Sequence, residues 1–145
     1  MTADAELYMP DKSPLASAPP AVALYATSEG ISRPLTALGQ CAEQAQLRRW
    51  AVSSREEFWD CAPVGRQRLD ARVQWGRVLQ QAEIGMVQGV VVHRLADVVP
   101  DAEAYVRLAG WAADNRVFLL FVDGGSYGPL HLVGRAPAVS PVVSA

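Results

Sequence analysis

The residues of this chain able to do chemistry sit at the ends of apolar runs. "ALYATSEG" closes on Thr27 and Ser28, "EEFWDC" on Asp60 and Cys61, "GVVVHRLAD" on His93, Arg94 and Asp97, and "FLLFVD" on Asp123. A serine among arginines suits phosphoryl transfer. The hydroxyl attacks phosphorus while guanidinium groups clamp the charged oxygens. Ser28 is the candidate nucleophile, with Arg72 and Arg94 as candidate clamps. Tyr25, Thr27, Asp60, His93 and Asp97 complete the candidate binding set. The competing reading of "SEGIS" is a polar turn that caps a helix. His93, following an apolar strand, fits a hydrogen-bonded structural histidine better than a catalytic base.

Other chemistries find no support in the spacing. Cys41 and Cys61, with the distant His93 and His131, form no zinc-ligand pattern, so no metal is expected. "GISRP" lacks the GxxxxGK[ST] form of a phosphate loop, and the only lysine is Lys12, outside the expected fold. No GxGxxG follows a strand, so no dinucleotide is expected. An aspartate phosphoacceptor would want an acidic pair after the first strand and a late lysine, and both are missing. No cofactor is expected.

The elements that position these residues follow from periodicity. Residues 1–20 hold Pro10, Pro14, Pro19 and Pro20 among small and polar residues, which predicts a flexible arm. "AVALYAT" predicts a buried first strand. From Pro34 to Trp50, Leu35, Leu38, Cys41, Ala42 and Ala45 recur at helical spacing, with Pro34 in the first turn. "WAVSSREEFWD" is a poorer strand, suited to a sheet edge, and "CAPVGRQRLDA" a loop. Arg72 to Ile84 forms a helix with Trp75, Val78, Leu79 and Ala82 on one side, stopped by Gly85 or Gly89. "GVVVHRL" and "RVFLLFVD" are nearly continuous apolar runs, as expected of strands covered on both faces. Between them lie a charged turn at 93–97 and a helix from Asp101 to Asp114. "GGSYG" marks a turn, "LHLVG" a last short strand, and residues 135–145 a flexible tail.

Strands alternating with helices imply βαβ units. The expected fold is a three-layer αβα domain over 21–134, with a mostly parallel sheet of four or five strands. The chain of 145 residues suits one domain with a sizeable core. Half its residues are hydrophobic and 19% are charged, so most of it should fold. The net charge of -2 gives no general pull toward nucleic acid. Arg48, Arg49, Arg66, Arg68, Arg72 and Arg77 cluster in mid-chain, where a solvated face is expected. No signal peptide and no membrane-length apolar run stand out, so a cytoplasmic protein with reduced thiols is expected. Cys41, Trp75 and Trp111 fall on helical stripes and belong to the core, whereas Trp59 is a candidate contact surface.

The order of segments resembles the N-terminal catalytic domain of serine recombinases, the resolvase/invertase family. "ALYATS" is similar to that family's opening strand, YxRVS. The stretch from Phe58 to Val99, "FWDCAPVGRQRLDARVQWGRVLQQAEIGMVQGVVVHRLADVV", resembles its middle, including the lead into DRLSR. The resemblance spans Ala21 to Asp123. It places Tyr25 and Ala26 on the start of YxRVS and puts Thr27 at the arginine position. The nucleophile position falls on Glu29, or on Ser28 if one residue is deleted. Asp60 stands for the family's acidic residue and Arg72 for the arginine before the second helix. In DRLSR, Ala96 replaces the aspartate, Asp97 the first arginine and Pro100 the last.

The resemblance implies a resolvase-like domain without strand exchange. Three phosphate-binding arginines are replaced, and the chain ends soon after the fourth strand, leaving no room for a dimer helix or DNA-binding domain. The leading expectation is a catalytically inactive recombinase-like domain acting through a protein partner or homodimer. One alternative is a DNA-binding recombinase relative with residual phosphoryl transfer through Ser28. Another is a small-ligand-binding α/β domain. DNA is a disfavoured partner and a membrane is not expected.

Overall fold

The computed structural model describes residues 19–61, 69–99, 101–124 and 128–134. The arm before residue 19 and the tail after 134 lie outside them, as do most of the 61–71 loop and the centre of "GGSYG". The strands are β1 (Ala21–Ser28), β2 (Ala51–Cys61), β3 (Gly89–Arg94), β4 (Phe118–Asp123) and β5 (Pro129–Val133). The helices are α1 (Leu35–Leu47), α2 (Val73–Glu83), the short α3 (Leu95–Val98) and α4 (Ala102–Asn115), with a 3₁₀ turn at Leu69–Ala71.

The five strands form one sheet in the order β2-β1-β3-β4-β5. The first four run parallel, and β5 pairs antiparallel with β4. The expected α/β class, the mostly parallel sheet and β2 at an edge are therefore observed. Helix α1 covers one face, packing Leu38, Cys41 and Ala45 on Val22, Leu24, Ala26, Val91 and Leu120. Helices α2 and α4 cover the other, where Trp75, Val78, Leu108 and Ala112 meet Ala23, Tyr25, Val90, Val92 and Leu119. Strands buried on both sides need apolar residues at every position, which explains the unbroken runs in β1, β3 and β4.

Two local features fix the register. Along β1, the step from Val22 to Leu24 matches the longer step from Val52 to Glu57 on β2. The extra residues bulge at the sheet edge, which blunts pairing with another strand. At the opposite end of the core, Gly89 leaves room for the Phe118 ring, since a Cβ there would sit 2.3 Å from it. Phe118 then packs against Trp50 in a tilted contact, with ring centroids 4.6 Å apart.

Several boundaries differ from expectation. Helix α1 ends at Leu47, because Arg49 takes a left-handed conformation (φ 61°). Pro34 sits at its N-cap rather than inside the first turn. Gly85, at φ 87°, stops α2 as expected, whereas Arg116, at φ 57°, closes α4 where a strand start was expected. The charged turn at 93–97 divides. His93 and Arg94 finish β3, and Leu95 begins α3, whose Asp97 carboxylate accepts the Arg94 backbone N–H.

Candidate functional site

The period-2 alternation of the strands decides which candidate residues meet. On β1, Ala23 and Tyr25 face α2, and Val22, Leu24 and Ala26 face α1. Thr27 continues the first set and Ser28 the second. On β3, Val90 and Val92 face the α2 side, and His93 follows Val91 toward α1. The set therefore splits. Tyr25, Thr27, Asp60, Arg72, Arg94 and Asp97 converge on one side of the strand ends, and Ser28 and His93 lie on the other.

The convergent group is a buried polar network in two linked parts. In the first, Asp60, 8% exposed, accepts the Tyr25 hydroxyl at 2.7 Å and the backbone N–H groups of Gln74 and Trp75 at 3.0 and 2.9 Å. Helix α2 has no cap from its own N-cap residue, Arg72. The end of β2 supplies one, so an anion sits at the positive end of the helix. The Tyr25 ring packs edge-on to Trp75 at 4.9 Å. Burial and the adjacent Asp60 carboxylate drive the tyrosine pKa well above its ordinary value, with the Arg72 guanidinium offsetting part of the rise.

In the second part, Asp97 is 1% exposed and accepts from two strands. The Thr27 hydroxyl donates to Oδ1 at 3.0 Å, and Arg94 donates through Nε at 3.2 Å and lies within 3.1 Å through Nη2. The Arg94 backbone N–H reaches Oδ2 at 3.3 Å. Arg72 joins the parts by donating to the Asp97 backbone carbonyl. Arg72 is 5% exposed, which corrects the expectation of a solvated face at that residue, whereas Arg49 and Arg77 are exposed as expected. Arg48 lies over the Trp50 ring, and Arg66 and Arg68 fall outside the described residues.

Ser28 is engaged by its own turn. Its hydroxyl donates to the Gly30 carbonyl at 3.1 Å and accepts the Gly30 N–H at 3.2 Å. The turn is present, but it does not cap α1. Cys61 is exposed and bonds the same Gly30 carbonyl, and an Arg33–Glu57 ion pair ties the loop to β2. His93 is half-buried and pairs with Gln40 Oε1 at 2.7 Å. Desolvation lowers its pKa, only partly opposed by Asp97. Sequence reasoning missed Gln40, because an exposed glutamine on a helix carries no distinguishing signal.

Cys41 is buried in the core as expected, its thiol pointing to the Tyr25 carbonyl. Burial, with the charge of Asp97 adding, pushes its pKa up to about 12. Trp75 is buried, but Trp111 lies at the core margin, donating to Glu83 at 2.9 Å. Trp59 is partly buried against the α1 side.

The sheet order places the switch in chain direction between β1 and β3, where open parallel sheets hold ligands. Thr27, Arg94 and Asp97 stand at that crevice. Among the described residues, no cluster of three or more His, Cys, Asp or Glu side chains is placed to hold a metal ion. No helix there is long and apolar enough to cross a membrane. Compared with known proteins, the chain matches no family model, no curated protein and no solved structure.

Proposed function

We propose that this chain is a catalytically inactive, resolvase-like αβα domain that acts through protein–protein contact. The observation that carries the proposal is Asp97. It is a buried carboxylate in the switch-point crevice, paired with Arg94 and Thr27. A phosphodiester arriving there meets a negative charge, and a guanidinium already engaged with it. Preorganised cationic donors aimed at a transition-state oxyanion supply roughly 3–4 kcal/mol each. A fixed anion reverses the sign of that contribution. The resemblance to serine recombinases puts an arginine where Asp97 stands, so the substitution falls at the point where it removes most of the chemistry. Ser28, bonded within its turn, has no general base among its hydrogen-bond partners in the described residues.

The protein-contact half of the proposal draws on exposed apolar side chains. Ile31, Leu35 and Val73 are 90%, 69% and 68% exposed, and all belong to segments at the carboxyl end of the sheet. Isolated exposed apolar residues are ordinary. Ile31 and Leu35, four residues apart beside the end of β1, are the pair chosen to test a covered surface there. Two experiments test the proposal. Incubation with supercoiled and linear duplex DNA, read on a denaturing gel, is expected to give no covalent adduct. An adduct lost in Ser28→Ala overturns the inactive reading. Sedimentation of the wild type against Ile31→Asp/Leu35→Asp is expected to show self-association that the substitutions weaken. A monomer at every concentration removes the homodimer and leaves a different protein partner to be sought.

A further inference from the structure

We infer that the Asp97 carboxylate is a built-in occupant of an oxyanion pocket between the ends of β1 and β3. Vacating it is expected to create a site for inorganic phosphate. The inference rests on the reading of the crevice as closed, and adds what closes it and what it would otherwise accept.

The donors come from two strands. Thr27 on β1 supplies a hydroxyl, and Arg94 on β3 supplies Nε and Nη2, all directed at the single oxygen Oδ1. A planar guanidinium beside a hydroxyl matches carboxylate and phosphate oxygens alike. The set does not depend on the amides of the four-residue helix α3. The three contacts lie at 3.0–3.2 Å, within ordinary hydrogen-bond range. Asp97 is 1% exposed, but the Arg94 side chain keeps 39% of its surface in solvent, so the guanidinium is reachable from outside. Removing the carboxylate leaves a cation and a hydroxyl donor facing the vacated space. The Arg72 bond to the main-chain carbonyl of residue 97 needs no side chain there, so the surrounding frame keeps that support.

A purely structural carboxylate, present only to cap α3, predicts something different. Its loss would lower stability and leave phosphate without effect. Asp97→Ala and Asp97→Ser are therefore titrated with inorganic phosphate at low ionic strength. The readouts are phosphorus NMR line width and the thermal midpoint. Phosphate is expected to bind the variants at least about tenfold more tightly than the wild type and to raise their midpoints selectively. Adding Arg94→Gln to either variant is expected to abolish both effects. Folded variants as indifferent to phosphate as the wild type overturn the inference. Variants that stay unfolded in high phosphate also count against it, because phosphate should replace the lost contacts. A wild-type DNA adduct overturns the inactive reading instead, so the two failures are distinguishable.

Discussion

Asp60 offers the sharpest test of how the crevice is held, because one carboxylate ties β1, β2 and α2 together. All three of its partners are donors: the Tyr25 hydroxyl and the N–H groups of Gln74 and Trp75. Asp60→Ala orphans all three. The tyrosine hydroxyl lies in the core, and the Arg72 guanidinium beside it can only donate, so losing its acceptor costs about 2 kcal/mol. The two helix amides cost about 1 kcal/mol each, the usual size of a lost cap. The expected total is about 4 kcal/mol, or a fall of roughly 16 °C in the thermal midpoint at about 4 °C per kcal/mol. Asp60→Asn keeps the shape but makes one atom a donor. Placed at either oxygen position, its amide nitrogen faces an N–H, so about 2 kcal/mol is expected. Tyr25→Phe alone should cost about 1.5 kcal/mol. In the double variant the orphaned hydroxyl is gone and only the two amides stay unpaired, at about 2 kcal/mol, so the costs should fall short of additive by about 3.5 kcal/mol. The assay is urea unfolding followed by tryptophan fluorescence. Additivity of Asp60→Ala and Tyr25→Phe within about 0.5 kcal/mol would refute the buried bond between them.

Three further outcomes follow from individual residues. A thiol reagent at neutral pH should modify exposed Cys61 and leave Cys41 untouched until the protein unfolds, because the Cys41 pKa is pushed up to about 12 and the residue is fully buried. Gly89→Ala forces a methyl group into the Phe118 ring and should cost roughly 1–3 kcal/mol by overpacking; a thermal melt unchanged from the wild type would show that Phe118 yields freely. Stability should also fall at both ends of the pH range. On the alkaline side, the unfolded chain loses the Cys41 and Tyr25 protons that the fold retains, so stability declines once pH passes the ordinary thiol and phenol values. On the acid side, His93 binds its proton more readily when unfolded, so stability declines as pH drops below about 6.5. Urea midpoints across pH check both limbs, and His93→Gln should flatten the acid one.

The sequence shows the fold more fully than the site. Strands β1, β3 and β4 are legible because burial on both faces demands apolar residues at every position, and nothing else in the chain does. The helices are legible from stripes such as Trp75, Val78 and Ala82. The missed boundaries have local causes. Arg49 and Arg116 occupy left-handed closing positions where glycine is the usual signal, so neither helix end is marked. Helix α3 is only four residues long, too short for a periodic stripe, so the segment reads as a turn. For the site, the strand ends supply the right residues, and alternation places Thr27 with Arg94 and sends Ser28 and His93 the other way. What periodicity cannot supply is pairing between distant segments. The bond from Thr27 to Asp97 spans 70 positions and that from His93 to Gln40 spans 53. The burial of Arg72 is hidden for the same reason, since one of its partners is a main-chain carbonyl on another element.

The most direct measurement is fluorescence anisotropy of a labelled random-sequence duplex titrated with wild-type protein at low and high salt. A crevice closed by Asp97, on a chain of net charge -2, predicts no salt-sensitive binding at micromolar protein. Binding that weakens steeply with salt, and that is lost in Arg94→Gln or Ser28→Ala, would contradict it and return the crevice to phosphodiester chemistry.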